Sequence, residues 1–302
     1  MTHTVQDLCD AYYMSSDFNG LRDTTKVDYK YFLGILCGEI GTMPHEYVSS
    51  ELAKALYEAW VLRGISYSNH LCCVASQSFN YGIRTGYTHN NPFAKLKRVT
   101  KDRRLVTWTN DDVVLFLNTA YKTFHHRNIG LIVQMAYEWC QRMGDMRNLT
   151  WDCLDLDSRI LTLEQADRRA KVVLPISDEL MNVILQQRKD YGFQAYVAPH
   201  PKPVAGVHSP YAMERLSKTG RAVMRLAGLP ERLRLLDIRR TGVVEMLDAG
   251  VSIPKLMEVT GYSYVSSLQQ HINNIDTCDD SALTDKGSHV KSSTASNTLK
   301  VI

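Results

Sequence analysis

The chain has 302 residues, of which 44% are hydrophobic and 22% charged, with a formal net charge of +3. That length suits two domains better than one minimal core, and the composition is that of an ordinary soluble globular protein. Seven cysteines, an odd number without a Cys-x-x-Cys pair, argue against a zinc site and a disulfide framework, so a reducing cytoplasm is the expected compartment.

The opening MTHTVQDLCDAYY has no basic stretch followed by an apolar run, so no signal peptide is expected. No run of about 18 apolar residues occurs, so no membrane span is expected either. The first hundred residues read as helices. Thr4 is placed to cap one that carries Leu8, Tyr12 and Tyr13 on one side. Thr24 or Thr25 caps a second through Tyr29, Phe32, Leu33 and Leu36, ending near Gly38 and Gly41. Ser49-Ser50 starts a third through Leu52, Leu56 and Trp60, stopped at Gly64. Ser66 caps a fourth through Leu71, Val74, Phe79 and Ile83, stopped at Gly86. Asn90-Asn91-Pro92 then breaks helix.

Lys95 to Arg104 is a basic connector and the expected domain boundary. Thr109 with Asp111-Asp112 opens a new helix through Val114, Phe116 and Leu117. Ile129 to Cys140 is strongly apolar and reads as a buried helix. Arg159 to Leu163 and Ala170 to Pro175 are short β-like runs around a polar turn, Asp167-Arg168-Arg169, which predicts a hairpin. Helices are predicted again over Asp178 to Tyr191, Tyr211 to Ala227, Arg239 to Ala249 (stopped at Gly250) and Ser252 to Thr260 (stopped at Gly261). After Ile275 the chain is rich in Ser and Thr without apolar periodicity, which predicts a disordered or partner-docked tail.

The distribution of charge says more than its sum. Between Arg84 and Arg104 stand seven basic residues, Arg84, Lys95, Lys97, Arg98, Lys101, Arg103 and Arg104, against one acid, Asp102. Clustered cations suit a phosphate backbone because each neutralised phosphate releases counterions. A solvated linker would carry the same charges.

Three stretches resemble the tyrosine-recombinase (phage integrase) family. Cys140-Gln141-Arg142-Met143-Gly144-Asp145 leading to Leu149-Thr150-Trp151-Asp152 is similar to its Arg-x-Gly-Glu…Leu-x-Trp segment, with Asp145 where Glu is usual. Leu236-Asp237-Ile238-Arg239-Arg240-Thr241 is similar to its His-x-x-Arg box. Gly261-Tyr262-Ser263, with His271 nine residues after Tyr262, is similar to its Gly-His-x…Tyr box. The likeness covers about Leu105 to Ile275, and Asn91-Pro92-Phe93 gives the first hundred residues the look of a core-binding domain. It implies a mainly α fold with a small antiparallel β-sheet (α+β): a helical DNA-binding domain over 1–95, a linker over 96–104, a catalytic domain over 105–275 and a tail over 276–302.

The resemblance also implies a chemistry. Guanidinium stays charged and offers a planar fork to two oxygens, so Arg142 and Arg239 are expected to grip one scissile phosphate. The family's tyrosine attacks phosphorus and holds DNA as a 3′-phosphoenzyme link, without metal or other cofactor. Its hairpin lysine protonates the leaving 5′ oxygen. Aligned from Pro175, that lysine's place falls at or near Asp167, with Arg168, Arg169 and Lys171 as the nearby cations. Lys171 either reaches inward, contacts the phosphate backbone or stays a solvated strand residue. Lys95, Lys97, Arg98, Arg103, Arg104 and Arg168 are the expected backbone contacts. The implied partners are double-stranded DNA, held in a C-shaped clamp, and further copies of the chain in a tetramer that exchanges tails.

The sequence departs from the family at three further points. His271 stands at the attacking tyrosine's place, Leu236 at the first histidine of the His-x-x-Arg box, and Tyr262 at the histidine or tryptophan of the third. A phenol still donates a hydrogen bond where Tyr262 stands; leucine does not. Three readings follow: a protein that binds DNA without cutting it, an enzyme in which Tyr262 or Tyr264 substitutes as nucleophile, or attack by His271 itself to give a phosphohistidine. A helical DNA-binding protein of another kind would leave Arg142 and Arg239 far apart.

Overall fold

The structure, a computed structural model, describes residues 3–101, 104–167 and 169–272, with side chains in the last helix through Gln269. The chain divides into two compact units, Met1–Arg104 and Leu105–Ile302.

In the first unit, α1 (Val5–Met14) begins where Thr4 accepts the amide of Asp7 and Asp7 returns a bond to Thr4, a reciprocal cap. A single turn, α2 (Ser16–Asn19), follows. Helix α3 (Asp23–Ile40) starts earlier than its threonines predict: Arg22 is the last extended residue, no side chain caps the helix, and Thr24 and Thr25 lie inside its first turn. Helix α4 (Ser50–Val61) is capped by Ser49. Helix α5 (Ile65–Thr85) starts at Gly64, not Ser66, because Gly64 turns the chain with φ 131°; it ends at the left-handed Gly86. Trp60 stacks on Phe93 within a core that includes Leu8, Leu33, Leu36, Leu71 and Phe79. Asn91 fixes the loop after α5: its amide donates to the Ser76 carbonyl at 2.9 Å and to Asn80, and its oxygen accepts the Phe93 amide.

The basic connector is pinned to this unit. The amide of Val99 donates to the Tyr57 hydroxyl at 2.7 Å, Asn69 donates to the Val99 carbonyl, and Lys101 donates to Ser66.

The second unit opens with α6 (Asn110–Tyr121), capped reciprocally by Thr109 and Asp112. Helix α7 (Phe124–Glu138) begins five residues before the apolar run because Thr123 caps it through the amide of His126. It is buried along most of its length, as a central helix must be when other elements pack around it. After the short α8 (Met143–Arg147) come three strands, β1 (Leu154–Asp155), β2 (Ile160–Glu164) and β3 (Lys171–Pro175), antiparallel in the order β1-β2-β3. The register pairs Leu161 with Leu174 and Glu164 with Lys171. Alternation buries Leu161, Leu163, Val172 and Leu174 against the core. Strand β1 and helices α2 and α8 are too short to show a period in the sequence.

Helices α9 (Asp178–Tyr191), α10 (Met213–Leu226), α11 (Ile238–Asp248), α12 (Ile253–Thr260) and α13 (Ser266–Ile272) complete the unit. Its main core gathers Trp108, Phe116, Ile132, Trp139 and Leu161, each side chain contributing roughly 1.5–3 kcal/mol by leaving water. A smaller cluster of Cys140, Val243, Leu256 and Leu268 fastens α11, α12 and α13 to the end of α7. The mainly α architecture with one small antiparallel sheet is as the sequence predicts. The residues of the expected tail lie outside the described ones.

Candidate functional site

Arg142 is placed by a strained turn. Helix α7 ends at Glu138, and Cys140, although not a glycine, takes φ 50°, a conformation that costs on the order of 1–2 kcal/mol for an L residue. Burial offsets that cost: Cys140 is fully enclosed, and enclosure pushes its thiol up to about 12. Gln141, also fully buried, then ties the turn down by donating to the carbonyls of Trp139 and Val259, each at 2.7 Å. Arg142 follows as the N-cap residue of α8, its side chain about a quarter exposed.

Arg239 comes from the first turn of α11, which reaches α7 through a glycine. A Cβ on Gly242 would stand 2.4 Å from the Tyr137 carbonyl oxygen and 2.9 Å from the Cys140 sulfur. Only hydrogen at that position lets the helices approach so closely. The guanidinium of Arg239 donates through Nη2 to the Thr260 carbonyl at 2.8 Å. Its Cζ lies 4.9 Å from the centre of the Tyr262 ring, a cation–π contact. Nε and Nη1 are buried and make no hydrogen bond among the described residues.

The two arginines converge on one carbonyl, that of Thr260, Arg239 directly and Arg142 through Gln165. Burial above all, and then the charge of Arg142, hold Arg239 below the usual guanidinium range, while Tyr262 and Cys140 work the other way. Like charges brought together out of water cost free energy, and an anion bound between them offsets it. Arg142 also donates through Nη1 to Gln165 Oε1 at 3.3 Å, and its Nε lies 3.6 Å from Asp167 Oδ2. Gln165 in turn donates to the same Thr260 carbonyl that Arg239 uses, at 2.8 Å. Asp145 accepts the Ala166 amide at 3.1 Å, which fixes the tip of the hairpin beside Arg142.

The remaining predicted positions are distributed as follows. Lys171 is exposed on the same side of β3 as Val173, opposite the core-facing Val172 and Leu174; among the described hairpin residues, Gln165 and Asp167 reach Arg142. Leu236 is 69% exposed just before α11. Tyr264 is exposed at the start of the turn into α13. His271 has its backbone in α13, and its side chain lies outside the described residues, as do Arg103 and Arg168. Lys95, Lys97 and Arg98 are exposed on the first unit and Arg104 is half-buried. No group of three or more metal-ligating side chains occurs among the described residues, and no described helix is long and apolar enough to cross a membrane.

Sequence reasoning passed over Gln165, Thr260 and Gly242. Gln165 left one signal: the alternation of β2 puts position 165 on the inward side after Leu161 and Leu163, where a polar residue needs a partner.

A comparison with curated protein sequences found no match. Solved structures match throughout most of the chain. A lambda integrase dimer bound to a COC′ core site is similar with a TM-score of 0.73 at 15% identity, covering 95% of this chain and 81% of that one. A lambda integrase tetramer bound to a Holliday junction gives 0.74 at 14% identity, covering 89% and 77%. The Tn1549 transposon integrase, residues 82–397, in complex with circular intermediate DNA gives 0.70 at 16% identity, covering 89% and 95%. At such identities the likeness speaks for the fold. The family model of the phage integrases matches residues 107–277, more than half of the chain and nearly all of the described second unit. With both arginine boxes inside that match, the chain belongs to the phage integrase family, the tyrosine recombinases.

Proposed function

We propose that this protein acts on duplex DNA as a site-specific recombinase or integrase, and that Arg142 and Arg239 grip the phosphate at which strands are exchanged. The observation that carries this is the convergence of the two guanidinium groups on one chain of hydrogen bonds, through Gln165 and the Thr260 carbonyl, with Nε and Nη1 of Arg239 buried beside it. Such donors complement the nonbridging oxygens of a phosphodiester and strengthen as negative charge develops on them. The solved integrases bound to DNA support the same partner. Exposed Lys95, Lys97 and Arg98 supply backbone contacts from the first unit. Assembly as a tetramer on DNA is part of the proposal, in line with the lambda integrase tetramer on a Holliday junction.

In the family's reaction a tyrosine oxygen bonds to phosphorus, the bond to the 5′ oxygen breaks, and the 5′ hydroxyl leaves with a proton. Rejoining reverses each change, so no external energy source is needed. The candidates for the attacking group in this chain are Tyr262, Tyr264 and His271. Tyr262 already stacks against Arg239.

A second reading is favoured by a different set of residues. Asp167 beside Arg142, exposed Leu236 and His271 replace a cation, a hydrogen-bond donor and a nucleophile. They fit a module that occupies recombination sites without cutting. The experiment that separates the two uses a nicked suicide duplex carrying a site selected by binding from a random pool. A covalent protein–DNA adduct mapping to Tyr262, Tyr264 or His271 supports the enzyme and names its nucleophile. Tight binding with no adduct supports the module.

A further inference from the structure

Arg142 and Arg239 reach the site from positions nearly a hundred residues apart in the sequence, and each is a long side chain with several rotamers. Something must fix their spacing if they are to hold one small anion. The candidates are the groups that link one to the other. Asp145 reaches the hairpin backbone, and Tyr262 lies over the Arg239 guanidinium. Gln165 is different. It is fully buried, its Oε1 accepts from Arg142 Nη1 at 3.3 Å, and its Nε2 donates to the Thr260 carbonyl at 2.8 Å and to Gln141 Oε1 at 2.6 Å. The Thr260 carbonyl is the acceptor of Arg239 Nη2, also at 2.8 Å.

The amide has one workable orientation. Thr260 offers a carbonyl, which only accepts, and Arg142 offers a guanidinium, which only donates. The oxygen therefore faces Arg142 and the nitrogen faces Thr260. A carboxylate would satisfy the first contact and repel the second; a hydrocarbon would satisfy neither. The pocket is built for this side chain on its far side as well. Gly261 takes φ +68°, and a Cβ there would stand 2.7–2.8 Å from the three atoms of the Gln165 amide group. Residue 261 is held to glycine both by its backbone and by the space that Gln165 fills.

We infer that Gln165 is a positioning residue that couples the two guanidinium groups, holding Arg142 and Arg239 at one fixed spacing through the shared carbonyl of Thr260. This deepens the proposed function and rests on the reading of the arginines as a phosphate site. The hairpin, in this inference, contributes to the site through a neutral amide where β2 enters the turn.

The test uses the full chain, labelled so that the Nε–H signals of Arg142 and Arg239 are followed by NMR, with Gln165→Met, Gln165→Glu and inorganic phosphate as the probe. Gln165→Met is near in volume and removes all three bonds, so both arginine signals should move in the free protein while signals of the first unit stay in place. Gln165→Glu keeps the acceptor for Arg142 and loses the donation to Thr260, so the Arg239 signal should move more than that of Arg142. Phosphate should bind Gln165→Met about tenfold more weakly than wild type, the loss expected for one charge-assisted bond. Arginine signals that stay put in Gln165→Met, or that move equally in both variants, overturn the coupling. Signals that move as expected while wild type leaves phosphate unbound uphold the coupling and sink the phosphate-site reading. If Gln165→Met unfolds, the Gln165→Glu pattern alone decides: a split response supports the inference and an equal one overturns it.

Discussion

Asp167 sets its carboxylate 3.6 Å from the Nε of Arg142, at the turn of the hairpin where the family resemblance implies a lysine. A long, partly exposed pair of this kind adds little to stability. Its effect falls on whatever anion approaches Arg142: the carboxylate competes for the guanidinium and repels a phosphate. Asp167→Asn should raise affinity for DNA by about two- to fivefold at low salt, the equivalent of an exposed ion pair, and the gain should shrink as salt is added. Equilibrium binding at two ionic strengths checks this; weaker binding by the variant contradicts it.

Gly242 lets α11 approach α7. In Gly242→Ala the new methyl meets a backbone carbonyl at 2.4 Å, which gives way only if a helix moves. Overpacking of this kind costs about 1–3 kcal/mol. The thermal midpoint of the second unit should fall, by about 2–4 °C for each kcal/mol. DNA affinity should fall too, because α11 carries Arg239. An unchanged midpoint would show that the helices are not held as closely as described.

Glu138 supplies a pH dependence. Its carboxylate, at the end of α7, accepts from Gln134 at 2.7 Å and from Ser177 at 2.6 Å, yet burial raises it above the usual glutamate range. A carboxyl raised on folding stabilises the fold fully below its unfolded range, and that contribution is lost as pH rises through the folded value. Glu138→Gln cannot ionise; its oxygen still accepts from Gln134, and its amide donates to the Ser177 hydroxyl, which accepts as well as donates. Its melting temperature should therefore gain on wild type between pH 5 and pH 8. A difference that stays constant, or grows toward acid, contradicts this account.

Lys95 and Lys97 are exposed, so replacing them with glutamine should leave stability within about 0.5 kcal/mol. If each neutralises a phosphate, each replacement lowers the slope of log affinity against log salt by about 0.9. Affinities measured from low to physiological salt decide it; an unchanged slope removes these lysines from the interface.

Much of the fold is legible in the chain because local chemistry sets its boundaries. Ser177 and the acids after it start α9, and the capping box of Thr109 and Asp112 starts α6, at the residues where the sequence places them. The hairpin follows from alternation. Where the reading slips, a backbone feature replaces a side-chain signal: α3 and α5 start on Arg22 and Gly64, which offer no capping oxygen. At the site, the sequence leads to Arg142 and Arg239 but not to what binds them together. Gln165 stands at a strand end where polar residues usually mark a turn, and the carbonyl of Thr260 has no sequence signature, since every residue has one. The position of Asp167 is visible by alignment; its contact with Arg142 is a property of the folded hairpin alone.

The central claim is that Arg142 and Arg239 hold one and the same phosphate. The direct measurement replaces the phosphates of a bound duplex, one at a time, with uncharged methylphosphonate and reads the affinity of wild type, Arg142→Gln and Arg239→Gln at each position. Wild type should lose affinity at a particular phosphate, and both variants should lose their sensitivity at that same phosphate while keeping it elsewhere. Loss of sensitivity at two different phosphates, or at none, would contradict the account.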